Sequence, residues 1–217
     1  MKNFYCIFKN KNYYKNYYKN YYNFILNSKI FFLKNNFIQI LSPELEKEKY
    51  NFTLLNILKK DYKGSFYLKN KIMRTHTSSF QNRFYKNYLI NYNFFNIGKV
   101  YRNDFSSTHL PCFYQIDVIT FVKINYFLNI ILKFLSYSFK KKFFFRIRKT
   151  KFPFTINSFE IDIYKNYKWI EISGFGFSNK NILYNNMLNF NIIAGGLGLD
   201  RIYYIKNFSS HIRNIYD

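Results

Sequence analysis

The sequence contains almost no alanine and few acidic residues. Ala194 is the only alanine in 217 residues, and 34 Lys and Arg outnumber 11 Asp and Glu, for a net charge of +23. Such a charge usually indicates a nucleic-acid partner. Lys, Asn, Ile, Phe and Tyr, however, have codons that need only A and T, so a biased genome would enrich them whatever the fold. The charge supports RNA binding weakly, and both explanations remain open.

Cysteines and long hydrophobic runs are also scarce. The two cysteines, Cys6 and Cys112, lie far apart, which excludes a disulfide framework or a cysteine metal site and suits a reducing cytoplasm. The longest apolar segment, residues 126–139, is interrupted by Asn129 and Lys133 and falls short of the roughly 20 residues of a membrane span. The N-terminus lacks a signal-peptide core. We therefore expect a soluble cytoplasmic protein without membrane contacts.

One tract of low complexity lies near the N-terminus. Residues 10–22 read NKNYYKNYYKNYY, a near-perfect four-residue repeat. Its rings could stack on RNA bases while its lysines meet phosphates, but the composition favours a poorly ordered leader over residues 1–23. Residues 24–217 have the pattern of a packed domain, and the length suits one domain.

The pattern after residue 24 predicts an α+β fold. Residues 24–41 have helical spacing followed by strand alternation, Ser78 or Ser79 is a candidate helix N-cap, and residues 126–139 form an amphipathic helix. Most other segments are strand-like and joined by short links. We expect a mainly antiparallel β-sheet flanked by helices.

A polar hairpin provides the first candidate site. In the segment GKVYRNDFSSTHLPCFYQIDVITF, which starts at Gly98, the strand period puts Val100, Arg102 and Asp104 on one face. The same period puts Phe113, Gln115 and Asp117 on one face of the second strand. If these faces coincide, a cation, two carboxylates, an amide and a ring line one surface. A bare strand pair does not require these groups, which predicts a bound ligand.

A glycine cluster provides the second candidate site. The segment AGGLGLDR spans Ala194 to Arg201. Its glycines allow a backbone to approach a ligand closely, and an arginine where a helix opens suits phosphate oxygens. Alanine and glycine have GC-rich codons, so their clustering marks places where larger side chains would not fit.

Five motifs in order resemble one family. RTHTSSFQNR, the hairpin segment, KFPFT, KWIEISGFGF and AGGLGLDR are similar to motifs of the alpha subunit of bacterial phenylalanyl-tRNA synthetase, a class II aminoacyl-tRNA synthetase. The resemblance covers about residues 24–217. It implies the class II catalytic fold, activation of phenylalanine with ATP and Mg²⁺, and transfer to tRNA(Phe). It also implies a beta subunit as partner in an α2β2 assembly.

The resemblance assigns roles to the matching residues, with the two motif arginines, Arg102 and Arg201, as catalytic residues. It implies ATP binding by Arg102, Asp104, His109, Phe113, Glu171 and Arg201, with Glu171 also contacting Mg²⁺. It implies phenylalanine binding by His76, Ser78, Gln115, Asp117, Phe152, Phe154 and Ala194. The substrate ammonium would lie near Gln115 and Asp117, and its ring between Phe152, Phe154 and Ala194.

Departures from the family pattern and two alternatives accompany this interpretation. Asp117 and Asp200 stand where the family usually has glutamate. The alternatives are a degenerate module that binds RNA or a partner without catalysis, and a class II synthetase of another specificity. Retention of Arg102, Glu171 and Arg201 favours an enzyme, while the FPF segment and the lone alanine favour phenylalanine.

Overall fold

A computed structural model gives the fold of the chain. It describes residues 11–58, 62–85, 92–104, 110–121, 123–184, 188, 191–207 and 212. No helix in these ranges is long and apolar enough to cross a membrane. The α-helices are α1 Lys11–Lys34, α2 Glu48–Asn51, α3 Phe80–Tyr85, α4 Ile124–Phe139, α5 Lys180–Tyr184 and α6 Leu199–Asn207.

The strands form two sheets. The larger has seven strands in the order β1-β5-β6-β10-β9-β8-β7, and the smaller has the order β2-β4-β3. All neighbours in the larger sheet are antiparallel except β1 and β5. This confirms the predicted α+β class. The strands are β1 Phe37–Gln39, β2 Leu45–Glu46, β3 Tyr67–Leu68, β4 Lys71–Met73, β5 Asn93–Tyr101, β6 Cys112–Thr120, β7 Phe145–Phe152, β8 Thr155–Lys165, β9 Lys168–Ser178 and β10 Ile193–Gly198.

Alternation along the strands gives the large sheet two different faces. On one face, side chains such as Ile116 and Leu197 pack against α1, α4 and α6 in the main hydrophobic core. The predicted apolar stripe of α4 is buried there, as its helical spacing requires. On the other face, Phe94, Ile119 and Ala194 belong to a second cluster. The second face also carries the candidate site.

Helix α1 covers much of the predicted leader. It begins at Lys11 and continues through the repeat to Lys34, so residues 11–23 are helical, while residues 1–10 lie outside the described ranges. Tyr21, near the end of the repeat, is buried and packs edge-on against the ring of Tyr203 in α6. This contact packs the end of the repeat against the domain, and the predicted poor order of residues 1–23 stays a prediction. The domain boundary after residue 23 stays a prediction.

One further local prediction needs correction. Neither Ser78 nor Ser79 caps α3 as predicted, because Ser78 Oγ donates to Asp117 and Ser79 Oγ makes no hydrogen bond to a described residue. Residues 159–177 lie in two strands, β8 and β9, joined at Asn166 and Tyr167. Both residues have a positive φ, as a tight hairpin turn requires.

Candidate active site

The two strands of the polar hairpin pair so that their polar faces coincide. In β5 and β6, Val100 lies opposite Phe113, Gly98 opposite Gln115 and Asn96 opposite Asp117. The ligand-facing residues of the two strands therefore share one side of the sheet. β5 ends at Tyr101, so Arg102 and Asp104 lie beyond the strand. The prediction that both share a strand face with Val100 is therefore wrong.

A cavity of about 340 Å³ opens on this face. Its walls come from β6, β9, β10, the start of α6 and the segment between β4 and α3. Ten of the thirteen candidate residues line it, and no continuous piece of sequence contains them, so the fold brings them together. These ten are His76, Ser78, Arg102, Phe113, Gln115, Asp117, Phe152, Phe154, Glu171 and Arg201.

The other three candidate residues are placed differently. Asp104 is exposed and is not part of the cavity lining. His109 lies outside the described residues. Ala194 is on the cavity side of β10, two residues before Gly196, but it is buried in the second hydrophobic cluster, against which Phe154 also packs. Its predicted contact with a substrate therefore stays a prediction.

Two arginines form a positive end of the cavity. Arg201, in the first turn of α6, donates from Nη1 to the carbonyl oxygen of Glu171 at 3.0 Å and lies 3.6 Å from Glu171 Oε2. Arg102 donates from Nε to the carbonyl oxygen of Thr75 at 2.7 Å, and its guanidinium lies 5.2 Å from the centroid of the Phe113 ring.

The pKa of Arg102 is lowered, first by the protein atoms packed around its guanidinium and then by the charge of Arg201. Solvent still reaches the side chain at the open cavity, and arginine remains protonated in proteins. The two guanidinium groups therefore repel each other weakly. An anion with several oxygens would relieve this repulsion and accept hydrogen bonds from both.

A β-bulge brings Glu171 to the cavity. The pairing of β8 with β9 shifts so that Ile161 pairs with Ser173 and Asp162 with Glu171, which leaves Ile172 as the extra residue. Glu171 and Gly174, three residues apart, consequently both line the cavity, although strict alternation would put them on opposite faces. This local irregularity has no clear signal in the sequence.

A buried carboxylate forms the opposite end. Asp117 is almost inaccessible to solvent, and its Oδ2 accepts hydrogen bonds from Thr77 Oγ1 at 2.8 Å and Ser78 Oγ at 2.7 Å. Burial raises the pKa of Asp117 to about 6, against the opposing effect of those two hydrogen bonds. The side-chain oxygen of Gln115 beside it is buried and has no hydrogen-bond partner among the residues that the structure describes. These acceptors suit a compact cation such as an ammonium group.

Aromatic rings cover the apolar part of the cavity. Phe152 and Phe154 are stacked with centroids 5.6 Å apart and planes within 11°. This spacing leaves no room for a third ring between them, so a substrate ring would lie beside the pair and not between its members as predicted. Phe152 also lies over Gly174, where a Cβ would come within 2.5 Å of its ring.

His76 completes the cavity wall next to Phe154. It is buried, and burial followed by the charge of Arg102 lowers its pKa to about 3. The ring is therefore neutral at physiological pH. Both ring nitrogens are buried and neither has a hydrogen bond of good geometry to a described residue, although an interaction with the Asn51 backbone partly opposes the lowering of the pKa.

The predicted site omitted several structural supports. Arg74, buried, donates to the carbonyl oxygens of Lys99 and Ser42 and passes over Gly98. Asp200 lines the cavity but accepts hydrogen bonds from Tyr21 Oη and the Tyr114 backbone N–H. Both residues belong to quoted motifs, yet only the fold reveals their partners.

Glu171 is the candidate protein ligand for a metal ion at this site. Among the described residues, no group of three or more His, Cys, Asp or Glu could hold a metal. Glu171 offers one partly exposed carboxylate at the positive end of the cavity. This donor fits Mg²⁺ bound mainly by phosphate oxygens and water, because that ion is usually held through one or two carboxylates.

The sequence of the chain is similar to one protein family and to individual members of it. Residues 7–217 match the family described as tRNA synthetases class II core domain (F). The chain is 39% identical over 201 residues to the phenylalanine–tRNA ligase alpha subunit of Buchnera aphidicola from Acyrthosiphon pisum, covering 87% of this chain and 61% of that protein. It is 37% identical to the alpha subunit from Wolbachia pipientis wMel, covering 89% and 61%. The chain thus spans about three fifths of the length of these relatives.

Solved structures support the fold. The pyrrolysyl-tRNA synthetase of Desulfitobacterium hafniense superposes with a TM-score of 0.71 at 13% sequence identity, over 90% of this chain and 72% of that one. At this identity the likeness concerns the fold alone.

Proposed function

Because the chain belongs to the class II core domain (F) family of tRNA synthetases, we propose that it is the catalytic alpha subunit of a phenylalanine–tRNA ligase. It activates L-phenylalanine with ATP and transfers the amino acid to tRNA(Phe). The observation that carries this proposal is the polarity of one cavity, with two arginines at one end, a buried carboxylate at the other and two phenylalanine rings between. An amino acid together with ATP has matching charges and an apolar side chain.

ATP occupies the positive end. Arg102 contacts the α-phosphate and the substrate carboxylate, and Arg201 holds the γ-phosphate at the N-terminus of α6, where backbone N–H groups also favour anions. Phe113 stacks on the adenine, with Asp104 and His109 near the nucleotide. Bound Mg²⁺, with Glu171 as its protein contact, supplies charge neutralisation for the phosphates.

Phenylalanine occupies the rest of the cavity. Asp117 and Gln115 accept hydrogen bonds from its ammonium group, and Thr77 and Ser78 hold the Asp117 carboxylate in place. Its ring lies against Phe152 and Phe154, with Ala194 behind the second of these. His76 presents a neutral polar edge, which adds no repulsion to a cationic ammonium group.

The chemistry needs no protein general base. The substrate carboxylate is already a nucleophile and attacks the α-phosphorus as the bond to the pyrophosphate oxygen breaks. Arg102 offsets the charge that develops on the α-phosphoryl oxygens, and Arg201 retains the leaving pyrophosphate. Catalysis therefore comes from positioning and electrostatic stabilisation. A hydroxyl of the terminal adenosine of tRNA then attacks the carbonyl carbon and releases AMP.

The proposed cell biology follows from this activity. The chain works in the cytoplasm with a beta subunit in an α2β2 heterotetramer, and tRNA(Phe) is its RNA partner. The net charge of +23 assists RNA binding through release of counterions.

Exchange of labelled pyrophosphate into ATP tests the activation step. The full chain, co-expressed with the beta subunit of its own organism, should catalyse exchange that depends on phenylalanine. Exchange with another amino acid only would indicate a different class II specificity. Absence of exchange with all amino acids, together with retained RNA or partner binding, would indicate the non-catalytic alternative.

A further inference from the structure

The segment between β4 and α3 supports both ends of the cavity. Arg74 donates to β5, Thr75 accepts from Arg102, and the hydroxyls of Thr77 and Ser78 bond Asp117. A shift of this segment would therefore change the cation-binding and anion-binding ends together. Its own attachment to the protein accordingly decides how precisely the site is formed.

Asn51 holds the middle of that segment. Its Nδ2 donates to Thr75 Oγ1 at 2.9 Å, and its Oδ1 accepts from the Thr75 backbone N–H at 3.1 Å. One amide thus clamps a single residue through two hydrogen bonds. Asn51 is fully buried at the end of α2, so water cannot readily replace a lost bond.

The clamp lies directly behind the Arg102 contact. The carbonyl oxygen of Thr75 accepts from Arg102 Nε at 2.7 Å, which orients the guanidinium. Since Thr75 is fixed by Asn51 at its N–H and hydroxyl, its carbonyl points in one direction. A side chain that does not line the cavity therefore controls the direction of a guanidinium that does.

We propose that Asn51 is a positioning residue for ATP and for the reacting carboxylate, acting through Thr75 on Arg102. The inference rests on the proposed function, because that function makes ATP the ligand of Arg102. It assigns Asn51 no contact with substrate.

Two nearly isosteric variants separate this role from simple packing. Asn51→Leu keeps the size of the side chain and removes both hydrogen bonds. Asn51→Asp keeps one acceptor for the Thr75 N–H and gives a second acceptor for the Thr75 hydroxyl, which can rotate to donate. Asn82→Leu is a matched control, because Asn82 is also a buried asparagine that joins two segments, here through the carbonyl oxygen of Leu54.

The measurement is the ATP dissociation constant of the full chain by titration calorimetry, in the native and Arg102→Ala backgrounds. Asn51→Leu should raise the ATP dissociation constant about 5- to 10-fold. It should also lower kcat for pyrophosphate exchange by up to about 100-fold, the loss typical of a small displacement of a group in the site. In the Arg102→Ala background the same change should have little effect on ATP, as expected for residues that act as a unit. Asn51→Asp should restore most of the affinity.

Three results would overturn the inference: an equal loss of ATP affinity in both backgrounds, an equal loss with Asn82→Leu, or no recovery with a folded Asn51→Asp. Should the native chain fail to bind ATP at all, the proposed function itself would fail, which is a different outcome from these three. Thr75→Val provides a second route if Asn51→Leu does not fold. It removes one of the two clamp bonds and should give an intermediate loss.

Discussion

At the scale of single residues, the site depends on groups whose surroundings alter their ordinary chemistry. Asp117 is a carboxylate that burial holds close to protonation, and His76 is an imidazole that burial holds neutral. Both effects arise because the cavity is walled by apolar and aromatic side chains. A ligand ammonium group would compensate Asp117 and favour its ionised form.

The pH dependence of phenylalanine use tests this account of Asp117. The pKa of about 6 is raised above the ordinary value, so the carboxylate loses its charge as the pH falls through 6. We expect kcat/KM for phenylalanine in pyrophosphate exchange to fall about tenfold per pH unit below 6. His76, with a pKa of about 3, stays neutral through this range and should not contribute.

Low pH should affect activity and stability in opposite directions through Asp117, because burial raises its pKa in the native state. The native state binds the extra proton between about pH 4 and 6, so this group favours folding more at the acidic end. Loss of activity there would then not be caused by unfolding through Asp117. The Asp117→Asn variant should have low activity without the acidic limb; retention of that limb would assign it to another group.

Gly98 shows how a buried arginine constrains its neighbour. A Cβ at Gly98 would overlap Arg74 Nη2, and Arg74 cannot move away without losing its hydrogen bonds to Lys99 and Ser42. Gly98→Ala should therefore lower the free energy of unfolding by about 2 to 3 kcal/mol, measured by urea denaturation. Gly198→Ala is the control, since its Cβ would be 3.8 Å from the nearest atoms of Arg201. Equal losses in the two variants would contradict this reason.

At the scale of elements, one buried hydrogen bond links helix α1 to the start of α6, in addition to the core packing of α1. Tyr21 Oη donates to Asp200 Oδ2 at 2.7 Å, and Asp200 also accepts from the Tyr114 backbone of β6 at 2.6 Å. Asp200 precedes Arg201, so a helix that does not line the cavity secures the turn that carries the proposed catalytic arginine.

Tyr21→Phe should weaken this attachment without changing the ring packing. Loss of a hydrogen bond to a carboxylate costs about 1.5 to 3 kcal/mol, so the midpoint of urea unfolding should fall. The KM for ATP should rise, because the turn before Arg201 is less fixed. Tyr22→Phe, at a side chain that is 64% exposed, should leave both quantities unchanged. A similar effect of both variants would argue against the Asp200 contact.

Sequence reasoning predicted those elements whose pattern is local. The residues that share a face within β5 and within β6 follow from alternation along each strand, and the α4 stripe follows from helical spacing. It could not predict the bulge at Ile172 that turns Glu171 into the cavity, or the Phe152–Phe154 stacking that excludes a ring between them. Both depend on pairing across strands, and Asn51 likewise acquires its partner only when distant segments meet.

At the scale of the whole molecule, apolar surface is left uncovered along α1 and just beyond it. The large exposed side chains are Tyr22, Leu26 and Leu33 on the helix, followed by Ile38 and Leu41. The three helical residues are spaced by 4 and 7 positions, which puts them along one side of α1. Contiguous exposed apolar groups of this kind usually mark an interface.

We therefore predict that the chain functions in an assembly and that this stripe contributes to it. Leu26→Glu with Leu33→Glu should shift the active species toward smaller mass in light scattering, since two charges would be buried without partners. Leu58→Glu, a change at a side chain 57% exposed elsewhere on the surface, should leave the mass unchanged and controls for added negative charge on a chain of net charge +23. A native chain that is a monodisperse and fully active monomer would contradict the prediction, because the stripe would then be stable in water without a partner.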